Sequence, residues 1–187
     1  MPEKQDKKYL GFLSIEESQE KNRYTGCLLI TNLYGVPEEF RCTHPVKPTP
    51  IQKTLYGKSL VSHIGIELCG IPLLSSIEHK ISGLFVNADY LTELRHDADF
   101  PVLFVKRSGE ILETEQNGEF KKEKRKIESK TGKFEPVAAI WNEQFKDDYE
   151  KMMHILDNHS NNLDVIEPFG RIKKTVEVLT LQDDRFK

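Results

Sequence analysis

Residues 83–106 read GLFVNADYLTELRHDADFPVLFVK. The ends of this stretch, Gly83–Val86 and Pro101–Lys106, are short uninterrupted apolar runs. Runs of that length and composition read as strands covered on both faces. Between them Asn87 or Asp89 can cap a short helix that carries Leu91 and Leu94 inward. Strand, short helix and strand in that order make a βαβ-like unit, which places the chain in the mixed α/β class. The helix is short for a parallel crossover.

Upstream, Tyr9–Ile15 (YLGFLSI) reads as a first strand, and EESQEKN as a polar connection. Tyr24–Thr31 and Glu38–His44, joined by NLYGVP, read as a hairpin. Pairing centred between Tyr34 and Gly35 sets Cys27 opposite Cys42, Thr31 opposite Glu38 and Thr25 opposite His44. The second of these strands should bury only one face, with Phe40 and Cys42 inward and Glu39, Arg41 and Thr43 outward. Thr49-Pro50-Ile51-Gln52 combines an N-cap, a proline at the first helical position and a capping box. The helix it opens carries Ile51, Leu55, Leu60, Ile64, Leu68 and Ile71 at helical spacing. Gly70-Ile71-Pro72 should kink or end it.

Downstream, Asn117-Gly118 marks the turn of a second, charged hairpin over 110–125. It would set Glu113 opposite Lys122 and Glu110 opposite Arg125. Val137–Trp141 reads as a strand or a helix start. Trp141, Phe145, Tyr149, Met152, Met153 and Leu156 form a helical stripe opposite Glu143, Asp147 and Glu150. Val165-Ile166 and Thr175–Leu181 read as closing strands. The expectation is one mixed α/β (α+β) domain with a central mixed sheet, an N-terminal hairpin, two main helices and a projecting charged hairpin. Its parts are a sheet and helix core over 8–110, a hairpin arm over 110–134, a helix with closing strands over 135–182, and a frayed tail over 183–187.

The chain has 187 residues, 37% of them hydrophobic, and a net charge of −3. That length supports a core without disulfide or metal, and the balanced charge excludes a uniformly basic nucleic-acid binder. The N-terminus lacks the pattern of a secretory signal. The most apolar window, His63–Ile77, is about 15 residues long, too short to span a bilayer, which needs about 20. The three cysteines make no disulfide framework. The expectation is a soluble cytoplasmic protein, with no membrane contact and no cofactor.

Three groups of residues are candidates for function. Cys42, His44 and Glu38, with Cys27, share one face of the first hairpin, and Cys with His is nucleophile or metal-ligand material. No further ligand has recognisable spacing, so no metal is assigned. Thiols packed in a core are the alternative. Second, Tyr34, Val36 and Pro37 at the hairpin turn, and Tyr56 on the glycine-bearing helix, offer a contact surface for a protein partner or a second copy of the chain. Third, residues 119–133 hold seven basic side chains against three glutamates. Lys121, Lys122, Lys124, Arg125 and Lys126 could contact phosphates, but no aromatic residues interleave them to stack on bases. His63, His154 and the Arg95-His96-Asp97 loop are weaker candidates.

The stretch Gly26-Cys27-Leu28-Leu29-Ile30-Thr31-Asn32, with Gly35 and Pro37 after it, resembles the strand–turn–strand of roadblock and longin-type domains. That resemblance covers fewer than 20 residues and implies an adaptor or scaffold role. Phosphate loops, dinucleotide fingerprints, nucleophile elbows and zinc-protease motifs are absent. The sequence thus leads to a non-catalytic protein-interaction or accessory subunit of a multi-protein assembly. The alternatives are a small hydrolytic or metal-dependent enzyme using Cys42, His44 and Glu38, and a binder of nucleic-acid backbone through the basic arm.

Overall fold

The structure is a computed structural model that describes residues 7–18, 22–107, 123–129, 131–156 and 162–186. Seven strands form one mixed sheet: β1 Tyr9–Glu17, β2 Tyr24–Asn32, β3 Pro37–Cys42, β4 Gly83–Val86, β5 Val102–Arg107, β6 Glu123–Ile127 and β7 Val137–Trp141. Their spatial order is β3-β2-β1-β4-β5-β7-β6. The first three form an antiparallel meander. β4 lies parallel to β1 and β5 parallel to β4, while β7 and β6 run antiparallel at the far edge. The three central strands therefore end along the same edge of the sheet.

The apolar run 83–106 folds as its composition predicts. All four residues of β4 are buried, and β5 is buried over its first four positions. The connection between them is a 3-10 helix, Asp89–Asp97, which suits so short a crossover.

Two apolar layers sandwich the sheet. One face packs Leu10, Phe12, Phe85, Leu103 and Trp141 against α2 (Asp148–Leu156) and α3 (Glu167–Gln182). The other packs Leu13, Leu28, Leu84 and Phe104 against the 3-10 helix and the long helix α1, Pro50–Ser76. Thr49 and Gln52 make the capping box that opens α1. Gly65 lets α1 approach closely, since a Cβ there would lie 2.6 Å from the Tyr90 ring.

Several expectations are corrected. Gly70-Ile71-Pro72 neither ends nor breaks α1. The turn before the proline widens to a π-helix over Ile64–Gly70, with Ile71 N–H donating to Ile66, and the chain continues to Ser76. Pro72 lacks a donor and crowds the preceding turn, and a widened turn accommodates both effects. By length and composition α1 is therefore apolar enough to cross a membrane, and about a third of its apolar window is buried in the domain. Its inward residues are Leu60, Ile64, Cys69 and Leu73, whereas Ile51 and Leu55 are 72% and 78% exposed.

Thr175–Leu181 is not a strand but part of α3. Pro168 starts that helix, and Phe169, Ile172 and Val176 pack inward at helical spacing, which overrides the β-branched composition. The tail is not frayed: Asp184–Phe186 is a 3-10 turn with Phe186 buried. Trp141 belongs to β7, leaving α2 to begin at Asp148. The turn of the second hairpin and its expected cross-strand pairs lie outside the described residues. Its returning half does not project but pairs with β7 as the edge strand β6.

Candidate functional site

Parallel strands aligned by register bring their carboxyl ends to one place, and ligands of α/β sheets commonly bind beyond those ends. The last paired row across the centre is Leu13, Val86 and Phe104. The residues immediately after it, Ser14, Asn87 and Val105, begin the candidate site on the face covered by α3.

Asn87 fastens β4 to β1. Its Nδ2 donates to Ser14 Oγ at 2.7 Å, its Oδ1 accepts from Ile15 N–H at 3.2 Å, and its own N–H donates to the Leu13 carbonyl. The Ser14 hydroxyl donates in turn to a Glu16 carboxylate oxygen. Ser14 is fully buried, and burial of a hydroxyl inside an apolar strand is tolerated because both its hydrogen-bonding roles are filled. Glu16 is half-buried near the end of β1.

A cavity of about 270 Å³ opens beside this network, lined by Asn87, Lys106, Arg107, Ile166 and Phe169 with Phe104 and Val105. Arg107 donates to Glu135 at 3.1 Å and Asp164 at 3.4 Å. The cavity lining thus combines the Asn87 amide with Lys106 and an Arg107 held by two carboxylates, and the buried Ser14 hydroxyl and the Glu16 carboxylate lie behind Asn87. A guanidinium at the cavity wall can hold an anionic group, and a carboxylate ordered by a hydroxyl and an amide can accept a proton. Among the described residues, no group of three or more His, Cys, Asp or Glu side chains is placed to hold a metal ion.

The first hairpin has the expected pairing of Cys27 with Cys42, but a register shift after Ile30 sets Thr31 opposite Pro37 rather than Glu38. His44 lies past the end of β3, with its ring 6.3 Å from that of Phe186. Glu38 is exposed and accepts from Asn32 Nδ2 at 3.3 Å. It sits four residues along the strand from Cys42, about 13 Å away at strand rise. Burial raises the thiol pKa of Cys27, Cys42 and Cys69 alike. The structure thus pairs the thiols but does not bring Glu38 to them.

Cys42 packs inward as expected, but the expected burial of β3 is reversed at positions 39 and 40. Phe40 is 36% exposed, whereas the Glu39 side chain is only 9% exposed. Glu39 accepts from Arg41 Nε at 2.7 Å, from the His79 ring at 2.8 Å, and from the N–H groups of Glu78 and His79. A carboxylate so fully hydrogen-bonded replaces apolar packing at the sheet edge.

Tyr34 and Val36 stand at the exposed turn, at 65% and 53% exposure, with Pro37 exposed beside them. Tyr56 stacks on the His63 ring at 4.7 Å, and His154 is exposed. Of the basic arm, Lys121 and Lys122 lie outside the described residues, while Lys124, Arg125 and Lys126 lie on β6. Arg125 pairs with Glu150 and sits over the Tyr149 ring.

Ser14, Glu16, Lys106 and Arg107 do not stand out in the sequence, and Asn87 reads there only as a helix cap. Ser14, a lone hydroxyl in an apolar strand, is the signal that could have found the site. Asp148, which carries no mark in the sequence, is 1% exposed and accepts from Arg95 Nε at 2.8 Å.

No protein-family model and no curated protein sequence matches the chain. Solved structures of endonuclease V are similar to it. That of Bacillus subtilis endonuclease V has a TM-score of 0.55 at 10% identity, covering 94% of this chain and 83% of that one. Ciona intestinalis endonuclease V bound to a 24mer DNA containing an inosine followed by a ribo-adenosine has a TM-score of 0.47 at 13% identity, covering 73% and 72%. Its D234N form bound to a related 23mer has a TM-score of 0.41 at 14% identity, over 55% of this chain and 47% of that one. The Bacillus likeness identifies the mixed α/β architecture as one that nucleases have. These neighbours are endonucleases, not the adaptor modules that the first hairpin resembles.

The expectation of a non-catalytic interaction or accessory subunit is corrected by that likeness. It rested on missing motifs and on candidate contact surfaces, and residues scattered over several strand ends escape a motif search.

Proposed function

We propose that the chain is a nucleic-acid-processing hydrolase of the nuclease type, acting on a phosphodiester in the cleft beyond β1, β4 and β5. One observation carries this reading. Ser14, Glu16 and Asn87 are joined at the carboxyl ends of two parallel strands, beside a cavity lined by Lys106 and Arg107. In this reading Arg107 holds the phosphate, and Glu16, oriented by Ser14, accepts the proton of the water that displaces the leaving oxygen, which takes a proton from solvent. The endonuclease V likeness supports the substrate class through the fold alone.

The test is cleavage of labelled DNA and RNA oligonucleotides by the purified chain, with and without a divalent cation. Cleavage that falls at least tenfold in Glu16→Gln, with unchanged folding, supports the reading. Cleavage by the wild type that survives in Glu16→Gln removes Glu16 from the chemistry, and no cleavage of any nucleic acid removes the reading.

A further inference from the structure

We infer that Cys27 and Cys42 are a redox-sensitive thiol pair, joined as a disulfide by a low-molecular-weight disulfide such as oxidised glutathione, and that closing it slows the hydrolysis proposed above. The second half of the inference rests on the functional reading of Ser14 and Glu16.

Strand register sets the pair. Cys27 of β2 lies directly opposite Cys42 of β3. The neighbouring pair, Gly26 and Thr43, is hydrogen-bonded, with Thr43 N–H donating to the Gly26 carbonyl at 2.9 Å. Antiparallel pairs alternate, so Cys27 and Cys42 occupy a non-hydrogen-bonded position, where Cα atoms stand about 4.5 Å apart. A disulfide accepts that separation without backbone movement. Both side chains pack into the layer beneath α3, so both thiols stand on one face. Cys69 lies on the other face, where a Cβ added to Gly26 would be 2.5 Å from the Cys69 Cβ. The sheet therefore separates it from the pair.

The row continues into the proposed site. Cys27 pairs on its other side with Ser14 of β1, and Asn87 donates to the Ser14 hydroxyl from the end of β4. Asn87, Ser14, Cys27 and Cys42 thus follow one another across the sheet on the face covered by α3. The Cys27 thiol is raised by burial first, then by Cys42 and by Glu16, so the carboxylate that Ser14 orients lies within electrostatic reach of it. Closing the disulfide draws Cys27 toward Cys42 and away from Ser14, whose hydroxyl sets Glu16.

Cys27 is fully buried and Cys42 half-buried, so Cys42 meets the oxidant first. Its thiol loses a proton to solvent and attacks one sulfur of glutathione disulfide, forming a mixed disulfide and expelling a glutathione thiolate that takes up a proton. Cys27 then loses its proton and attacks Cys42 Sγ, closing the protein disulfide and expelling the second glutathione. Two protein thiols are oxidised, and one glutathione disulfide is reduced to two thiols. Burial raises both protein thiols, so the thiolate is scarce and exchange takes minutes to hours.

The test incubates the purified chain for hours with oxidised or reduced glutathione, maps disulfides by mass spectrometry of peptides, and measures cleavage of labelled oligonucleotides. Oxidation should link Cys27 to Cys42, leave Cys69 free, and lower the cleavage rate by about fivefold or more, the factor that one lost hydrogen bond is worth. Dithiothreitol should restore the rate. Cys42→Ala should cleave at the same rate with either form of glutathione. A glutathione adduct at Cys42 alone, a disulfide that includes Cys69, or thiols that all stay free overturns the pair. A Cys27–Cys42 disulfide with an unchanged rate, or an equal loss in oxidised Cys42→Ala, overturns its effect on the site. Absence of cleavage by the reduced wild type overturns the functional reading and the regulation with it, whereas the peptide map decides the pair by itself.

Discussion

Asn87, immediately after β4, donates to the Ser14 hydroxyl of β1 at 2.7 Å and holds the carboxyl ends of the two strands together. The bond bridges residues far apart in the chain and leaves Ser14 free to donate to Glu16. The Glu16 carboxylate is therefore positioned from β4 as well as from its own strand.

Asn87→Ala should lower the cleavage rate more than it lowers stability. Loss of the amide leaves the buried Ser14 hydroxyl and Ile15 N–H short of a partner, at a cost of about 1–3 kcal/mol. Asn87→Asp keeps the acceptor for Ile15 N–H but replaces the donor to Ser14 with a second carboxylate near Glu16. Urea denaturation together with a kcat and KM determination separates the two effects. Unchanged kcat in Asn87→Ala, with the expected loss of stability, would reduce Asn87 to a structural tie.

Asp148 should be a determinant of stability rather than of activity. It is 1% exposed and holds Arg95, itself 13% exposed, which also stacks on Phe145 at 4.2 Å. Asp148→Ala strands a mostly buried guanidinium and should cost about 3–5 kcal/mol. Replacing both partners together, Asp148→Leu with Arg95→Met, should cost less than the single change, because no charge is left unpaired. Urea midpoints for the single and double variants provide the check, and a double variant as unstable as the single one would show the pair to be replaceable only as a pair of charges.

Acid should loosen β3 through Glu39. Burial alone would raise this carboxyl, but the His79 ring, Arg41 and the N–H groups of Glu78 and His79 outweigh it and hold it at about 2. Its unfolded value is near 4.3, so the folded value is depressed. The stabilisation is complete above the unfolded value and is lost as pH falls from about 4.3 towards 2. Glu39→Gln lacks that titration. The stability difference between wild type and Glu39→Gln, followed by thermal unfolding, should be constant above about pH 5 and shrink below it. A difference that does not change with pH would show that Glu39 contributes no linkage.

Local chemistry made much of this fold legible in the sequence. The Thr49–Gln52 capping box, the buried runs of β4 and β5, and the facing of Cys27 and Cys42 follow from spacing and residue type, because the interactions that enforce them lie within a few residues or across one turn. The errors fall where distant packing decides. Thr175–Leu181 has strand composition, yet its apolar residues meet the sheet at helical intervals. Glu39 looks solvent-facing until the 78–79 segment supplies its donors. The candidate site was hidden for the same reason. Ser14, Asn87 and Lys106 are unremarkable where they stand in the chain, and only the order β1-β4-β5 brings them to one edge.

By itself the sequence determined the class of the chain: a mixed α/β domain with an N-terminal hairpin and parallel strands joined by a short helical connection. Periodicity and turn chemistry act over short range and need no knowledge of the partner strand. Tertiary structure alone decided which strand ends meet, which side of β6 each cation takes, and where a buried Asp148 finds its arginine. Those outcomes depend on strand order and register, which are set by burial of the whole sheet between two helical layers.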